Sequence, residues 1–300
     1  MYDKTFTEFD RQLISRWKRT SELDRLLVAH VTDSHVLKPQ EDRPLILCDF
    51  PSPTWGTEHL QDVVRELHSL SRQPDLLLLG GDMTHTGDPA EWNVLFGTVE
   101  QLPVPILVTL GNHEHRNKDP ESTAFQSSVS SLRKRGFQDS AVAEQWAYAH
   151  QTGAYRFLVL DSMDCGDLGA KQHEFLCEEL KHDRPTIVLI HRPVIRTGKP
   201  VDDLRLIDPL FEKILRDANN LIGVVCGHAH CRRTTIEHGR LHFVSPSVNF
   251  GNDDRTGYRL FCLSNGRIAW SGTRAVAGDS CHAFRGPIVK QKGGAAWEEF

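Results

Sequence analysis

Five short apolar runs punctuate the chain: Leu26 to Val31, Leu76 to Leu79, Ile106 to Leu110, Ile187 to Ile190 and Leu221 to Val225. Each is too short for a core helix and continuous enough for a strand buried on both faces. Helical periodicity recurs near Glu58–Leu70, Ala90–Gln101, Gln172–Lys181 and Leu204–Asp217, and this alternation predicts a sheet covered by helices. Phe6, Phe9, Leu13, Ile14 and Trp17 sit at helix-like spacing within residues 4 to 24, so residues 1–25 read as a helical extension packed on the body. Beyond Arg232 the pattern changes to alternation around Thr234–Ile236, Leu241–Val244, Tyr258–Leu263 and Ile268–Trp270. These segments predict hairpins, with Gly251 to Gly257 as a turn. No linker-like composition separates the runs, so residues 26–274 read as one domain. Residues 115 to 145 are read either as a cap over a pocket or as plain helix and loop. Residues 275–300 are read as a docking arm, a lid or a frayed end.

A polar motif follows each run: Asp33-Ser34-His35, Gly81-Asp82, Gly111-Asn112-His113-Glu114, His191 and Gly227-His228-Ala229-His230. Asp-x-His and His-x-His place both side chains on one face of an extended backbone, so each pair is expected to act as a pincer. Strand ends are where loops converge on a crevice in α/β sheets. Singly, Asp82 could cap a helix and Gly111-Asn112 could form a turn. Together these acids and imidazoles would carry an unpaired polar cost unless a cation satisfied them.

This ordered set, spanning Leu26 to His230, resembles the calcineurin-like metallophosphoesterases, whose signature runs D-x-H, G-D, G-N-H-[DE], H, G-H-x-H. The resemblance implies that Asp33, His35 and His230 bind one metal ion, that Asn112, His191 and His228 bind a second, and that Asp82 bridges them. It leaves His113 off the metals, facing the substrate. Two such cations clamp a phosphoryl group and acidify a shared water that attacks phosphorus in line. His113 would assist the leaving oxygen, and Asn112 offers its amide oxygen to metal and its NH₂ to phosphate. Protein phosphatases of this group carry an acid where this chain has His85. The run from Gly81 to Trp92, with Asp161-Ser162, Gly169 and Gln172, is more similar to bacterial class III cyclic-nucleotide phosphodiesterases and their glycerophosphodiesterase relatives. The expected fold is thus α/β, a four-layer αββα sandwich of two mixed sheets flanked by helices. The expected function is hydrolysis of a small phosphodiester, with 3′,5′-cAMP the leading substrate. A glycerophosphodiester, a nucleic-acid end, a phosphomonoester and a non-catalytic binding module are the alternatives. Mn, Fe, Zn and Co all suit such ligands, and relatives of this kind often pair, which suggests a homodimer.

The remaining residues are read more plainly. Arg192 follows His191 and is read as approaching substrate phosphate or pairing with a carboxylate, whereas His115 is expected to be a loop residue facing solvent, with an auxiliary acid as the alternative. Cys226 and Cys231, flanking the Gly-His-Ala-His motif, are expected to pack in the core or point away from the site. The other nine histidines, outside these motifs, are read as surface or core residues. Seven cysteines without paired spacing suggest reduced thiols and a cytoplasmic setting. The first residues lack a secretory pattern, and no apolar run approaches the roughly 20 residues that cross a bilayer. A net charge of −5 gives no basic footprint for general nucleic-acid binding.

Overall fold

The computed structural model describes residues 4–37, 55–115, 123–137, 145–162, 167–198, 205–237, 239–249 and 256–275, with 291–292 and 296–297 as two short paired strands. The turn expected at Gly251 to Gly257 falls mostly outside these residues, as does most of the 275–300 tail.

Each of the five apolar runs forms a strand. In the first sheet β1 (Leu26–Val31) lies between β2 (Leu76–Gly80), parallel to it, and β10 (Gly257–Ser264), antiparallel. β3 (Ile106–Thr109) and β11 (Arg267–Ala275) complete the order β11-β10-β1-β2-β3. The second sheet runs β4-β5-β6-β7-β9-β8. In it β5 (Tyr155–Val159), β6 (Thr186–Leu189), β7 (Leu221–Cys226) and β9 (Arg240–Val244) are parallel. β4 (Tyr148–Thr152) and β8 (Arg233–Glu237) pair antiparallel at its edges. Two of the hairpins expected after Arg232 are present, β8 with β9 and β10 with β11, but the chain between β9 and β10 passes from one sheet to the other.

Apolar side chains of both sheets fill the space between them, as where Phe243 of β9 meets Phe261 of β10 at 5.0 Å between ring centroids. Arg259 of β10 is fully buried there. Its guanidinium donates to Ser271 Oγ (2.8 Å), to the Val244 carbonyl (3.0 Å) and to the Arg233 carbonyl (3.3 Å), which ties one sheet to the other. Buried cations persist only where such acceptors replace water. The helices cover the outer faces, giving the four-layer αββα sandwich. α1 (Lys4–Arg19), α2 (Trp55–Ser69), α3 (Pro89–Val99) and α4 (Thr123–Lys134) belong to the core of the first sheet, and α5 (Gly169–Glu179) and α6 (Pro209–Asp217) to that of the second. α1 buries Phe6, Phe9 and Leu13, as its spacing predicts.

One boundary differs from expectation for a local reason. α6 begins at Pro209 rather than Leu204, because Asp208 caps it by accepting from Phe211 N (2.9 Å) and a residue before proline avoids helical backbone. The segment after His115 contains α4, which packs on α3: Trp92 Nε1 donates to Ser128 Oγ at 3.0 Å and the Arg135 guanidinium lies over Phe96. This part of the insertion is therefore helix against helix.

Candidate metal centre

The loops after β1, β2, β3, β6 and β7 carry the motif residues to one place, the seam between the carboxyl edges of the two sheets. Asp33, His35, Asp82, His228 and His230 have φ of 55°, 45°, 47°, 66° and 48°, all in the left-handed region. The pincers are thus not built on extended backbone, and that expectation is corrected. A left-handed residue turns the chain off the strand end and lets neighbouring loops bond across the edge. Asp33 N donates to Gly81 O (3.0 Å), His35 N to Asp82 O (3.0 Å) and Gly227 N to His191 O (3.0 Å). Outside glycine this geometry costs about 1–2 kcal/mol per residue and concentrates at functional sites. Gly111 and Gly227 permit the close approach: a Cβ at the first would overlap Asp82, and at the second Thr32 and Asp33.

Candidate ligand atoms of Asp33, His35 and His230 lie within 4.8 Å of one another, as do those of Asp82, His191 and His228. The sets adjoin, because His191 Nε2 is 3.3 Å from Asp82 Oδ2 and 4.0 Å from Asp33 Oδ1, and His230 Nε2 is 3.2 Å from Asp33 Oδ1. His191 Nδ1 meets the Gly80 carbonyl at 2.8 Å, which makes that nitrogen the donor and leaves Nε2 toward the carboxylates. Asn112 stands between Gly111 and His113, both of which approach Asp82; His113 N donates to Asp82 Oδ1 at 2.7 Å. Asn112 Oδ1 is buried with no hydrogen-bond partner among the described residues. An orphaned buried acceptor costs about 1–3 kcal/mol unless a cation or ligand takes it. Carboxylate, imidazole and amide donors of this kind fit divalent transition-metal ions.

The electrostatics are those of a cation site. Burial opposes ionisation of Asp33 and Asp82, yet His230 and His191 hold the first, and His191 and His113 the second, below the usual carboxylate range. Burial disfavours a charged His191, but Asp82 and Asp33 outweigh it and push this imidazole up to about 9. His228 moves the other way, down to about 3, through burial, His191 and Arg192. Burial likewise pushes His35 well below its ordinary value, with His113 adding to the effect, which favours the neutral imidazole.

His113 does not fall within either set. Its Nδ1 lies 2.9 Å from the backbone carbonyl of His85, so the ring is oriented with Nδ1 donating, and Nε2 is 3.8 Å from Asp82 Oδ2. Arg192 is buried with Nη1 3.4 Å from His228 Nε2, so its guanidinium is at the site. His115 does not face solvent. Its Nε2 is 2.8 Å from Asp161 Oδ1, its ring stacks on Phe125, and its amide donates to the Asn112 carbonyl. Buried Asp161 provides a stronger partner than water at that position. Cys226 and Cys231 are buried in the core of the second sheet.

Two supports carried no role in the sequence reading. The Glu114 carboxylate accepts from Asp82 N (2.9 Å) and Gly111 N (2.8 Å) with one oxygen, and from Thr84 N and Oγ1 (2.8 Å each) with the other. An acid inside a strand-end motif was the available signal. The segment after β9 straps the first loop, with Ser247 Oγ donating to Asp33 O (2.8 Å) and Val248 N to Thr32 O (3.0 Å). Nothing in Ser-Pro-Ser-Val-Asn distinguishes it from an ordinary turn.

With the geometry in place, comparison with known proteins is informative. The profile of the calcineurin-like phosphoesterases matches residues 26–232, from the first residue of β1 to just past His230. The chain belongs to the calcineurin-like phosphoesterase family. Its expected place among metal-dependent phosphoester hydrolases is borne out at that level, and the family implies divalent metal ions. A probable cyclic nucleotide phosphodiesterase of Synechococcus sp. is 30% identical over 166 residues, 53% of this chain and 59% of that protein. The match thus spans less than two thirds of that relative. A glycerophosphodiester phosphodiesterase of Enterobacter lignolyticus is 26% identical over 218 residues, 68% of this chain and 71% of its own. A dimetal phosphatase of Danio rerio superposes with a TM-score of 0.58 at 14% identity, covering 84% of this chain and 96% of its own, a likeness of fold. Among the described residues no helix is long and apolar enough to cross a membrane.

Proposed function

We propose that this calcineurin-like phosphoesterase is a dinuclear phosphodiesterase acting on a small phosphodiester, with a 3′,5′-cyclic nucleotide as the leading substrate. The observation that carries the reading is the pair of adjoining ligand sets, Asp33/His35/His230 and Asp82/His191/His228. The first set would hold one cation, and His191 and His228 with Asn112 would hold the other. Asp82 would serve both, which its central position between His113 and His191 supports. Mn, Fe, Zn and Co each suit these donors. When bound, two such ions supply Lewis-acid polarisation of the phosphoryl oxygens and lower the pKa of a water.

The chain's own groups do the rest. Arg192 meets a non-bridging phosphate oxygen, and the Asn112 NH₂ offers it a second donor. The His85 carbonyl fixes the His113 ring through Nδ1, so that Nε2 holds the proton the leaving oxygen takes. The relatives favour a diester as substrate, since one is named for cyclic nucleotides and the other for glycerophosphodiesters. The second of these supports the runner-up, a glycerophosphodiester on the same site. The test is a substrate panel on protein stripped of metal and reconstituted with manganese: bis- and mono-nitrophenyl phosphate, 3′,5′-cAMP and glycerophosphocholine. The expected result is turnover of the bis-ester and of cAMP. Turnover confined to monoesters overturns the diesterase assignment.

A further inference from the structure

Beside the two ligand sets lies a third convergence of nitrogens that the proposed chemistry leaves without a metal. One ring nitrogen from each of His35, His85 and His113 lies within 4.8 Å of the other two, and all three residues are buried. The rings stand at 4.3 Å for His35 and His113, 5.1 Å for His85 and His113, and 6.2 Å for His35 and His85 between centroids. They are inclined at 73°, 53° and 64°, respectively, so none is stacked flat on another. His113 Nδ1 is committed to the His85 carbonyl, which leaves Nε2 as the nitrogen that binds a proton or a cation. The Asp82 carboxylate stands 3.8 Å from that nitrogen and favours positive charge there.

We propose that His35, His85 and His113 form an inhibitory site for a borderline transition-metal cation of the zinc class. Three imidazoles with a water as fourth ligand satisfy a tetrahedral ion of this kind, at nitrogen distances of about 2.0–2.1 Å. Hard cations such as magnesium prefer oxygen ligands and do not use such a site. Two consequences follow. His35 also belongs to the Asp33/His35/His230 set, so occupation of the imidazole triad excludes the productive first site. A cation on His113 Nε2 takes the lone pair that would otherwise carry the leaving-group proton, so His113 can no longer donate. Both effects stop turnover, while the second ligand set is untouched. The loss of turnover rests on the phosphodiesterase reading; cation binding at the triad does not.

Two measurements test this. First, crystals of the wild-type protein soaked in zinc are read by anomalous scattering at the zinc edge. A peak within bonding distance of one nitrogen from each of His35, His85 and His113 is expected; filled Asp33/His35/His230 and Asp82/His191/His228 sets with no density at the triad overturn the proposal. Second, zinc is titrated into manganese-replete wild-type and His85→Gln proteins hydrolysing bis-nitrophenyl phosphate, each normalised to its own manganese rate. The half-inhibitory zinc concentration is expected to rise at least tenfold in the variant, which keeps the backbone carbonyl that orients His113. Equal sensitivity of the two proteins overturns the inhibitory role. If the protein proves inactive on every ester, the zinc soak still decides the site, so failure of the functional reading and failure of this one are distinguishable.

Discussion

At the scale of single residues, ligand and acid roles separate cleanly enough to be tested apart. His113→Ala removes the group proposed to face the leaving oxygen and leaves both ligand sets intact. The expected outcome is a fall in kcat of about 10²–10⁴-fold with unchanged metal content, read by steady-state kinetics beside elemental analysis. Glu114 offers a different experiment, because its four donors include three backbone N–H groups. A glutamine must turn an NH₂ toward at least one of them. Glu114→Gln is therefore expected to lose about 1–3 kcal/mol of stability in urea denaturation and to weaken metal binding, since the Asp82 and Gly111 loops are held by that carboxylate. Which residues converge was legible in the sequence, because Asp33, Asp82, His191 and His228 each end an apolar run that leaves little else for a polar side chain to do. Conformation was not. Asp-x-His and His-x-His read as extended pairs, and only the loops packing across both sheet edges turn them left-handed.

Elements show the same division. Strands declare themselves when both faces are buried, as in Leu76 to Leu79, and their ends fell within a residue or two of expectation. Helix α6 did not, because a period of 3.6 continues through residues such as Leu206 that pack without being helical. Asp208 decides its start, accepting from Leu168 N as well as Phe211 N and pairing with His173. Burial opposes ionisation of Asp208, yet these donors prevail and hold its carboxyl below the usual range. A carboxylate depressed in the folded state adds stability above its unfolded pKa, near 3.9, and loses it as pH falls through the folded value. The stability gap between wild type and Asp208→Ala is thus expected to be about 0.5–2 kcal/mol at pH 6. It should narrow steadily below pH 3.9 in urea melts taken across that range. A gap independent of pH would show that the cap acts without its charge.

The whole molecule was legible as a layered α/β sandwich, whereas the passage of the chain from β9 in one sheet to β10 in the other was not. Alternating strands such as Leu241–Val244 and Tyr258–Leu263 look alike whether they pair with each other or with partners far away. That crossing places the strap Ser247–Val248 over the Asp33 loop, so the metal centre draws on both sheets at once. Cations bound there would join the sheets. Divalent metal at 100 times its Kd should stabilise the protein by about 2.7 kcal/mol and raise its melting temperature, an effect chelator reverses. Because the ligands come together only when the sheets dock, metal is expected to slow unfolding and leave the refolding rate nearly unchanged in stopped-flow traces. The left-handed residues of the centre bear on how a silent version of the protein should be made. Asparagine tolerates that backbone, and β-branched side chains do not. Asn at 33, 82 or 230 would thus give a faithful inactive control, whereas valine or isoleucine at the same codons would confuse a broken scaffold with a disarmed one.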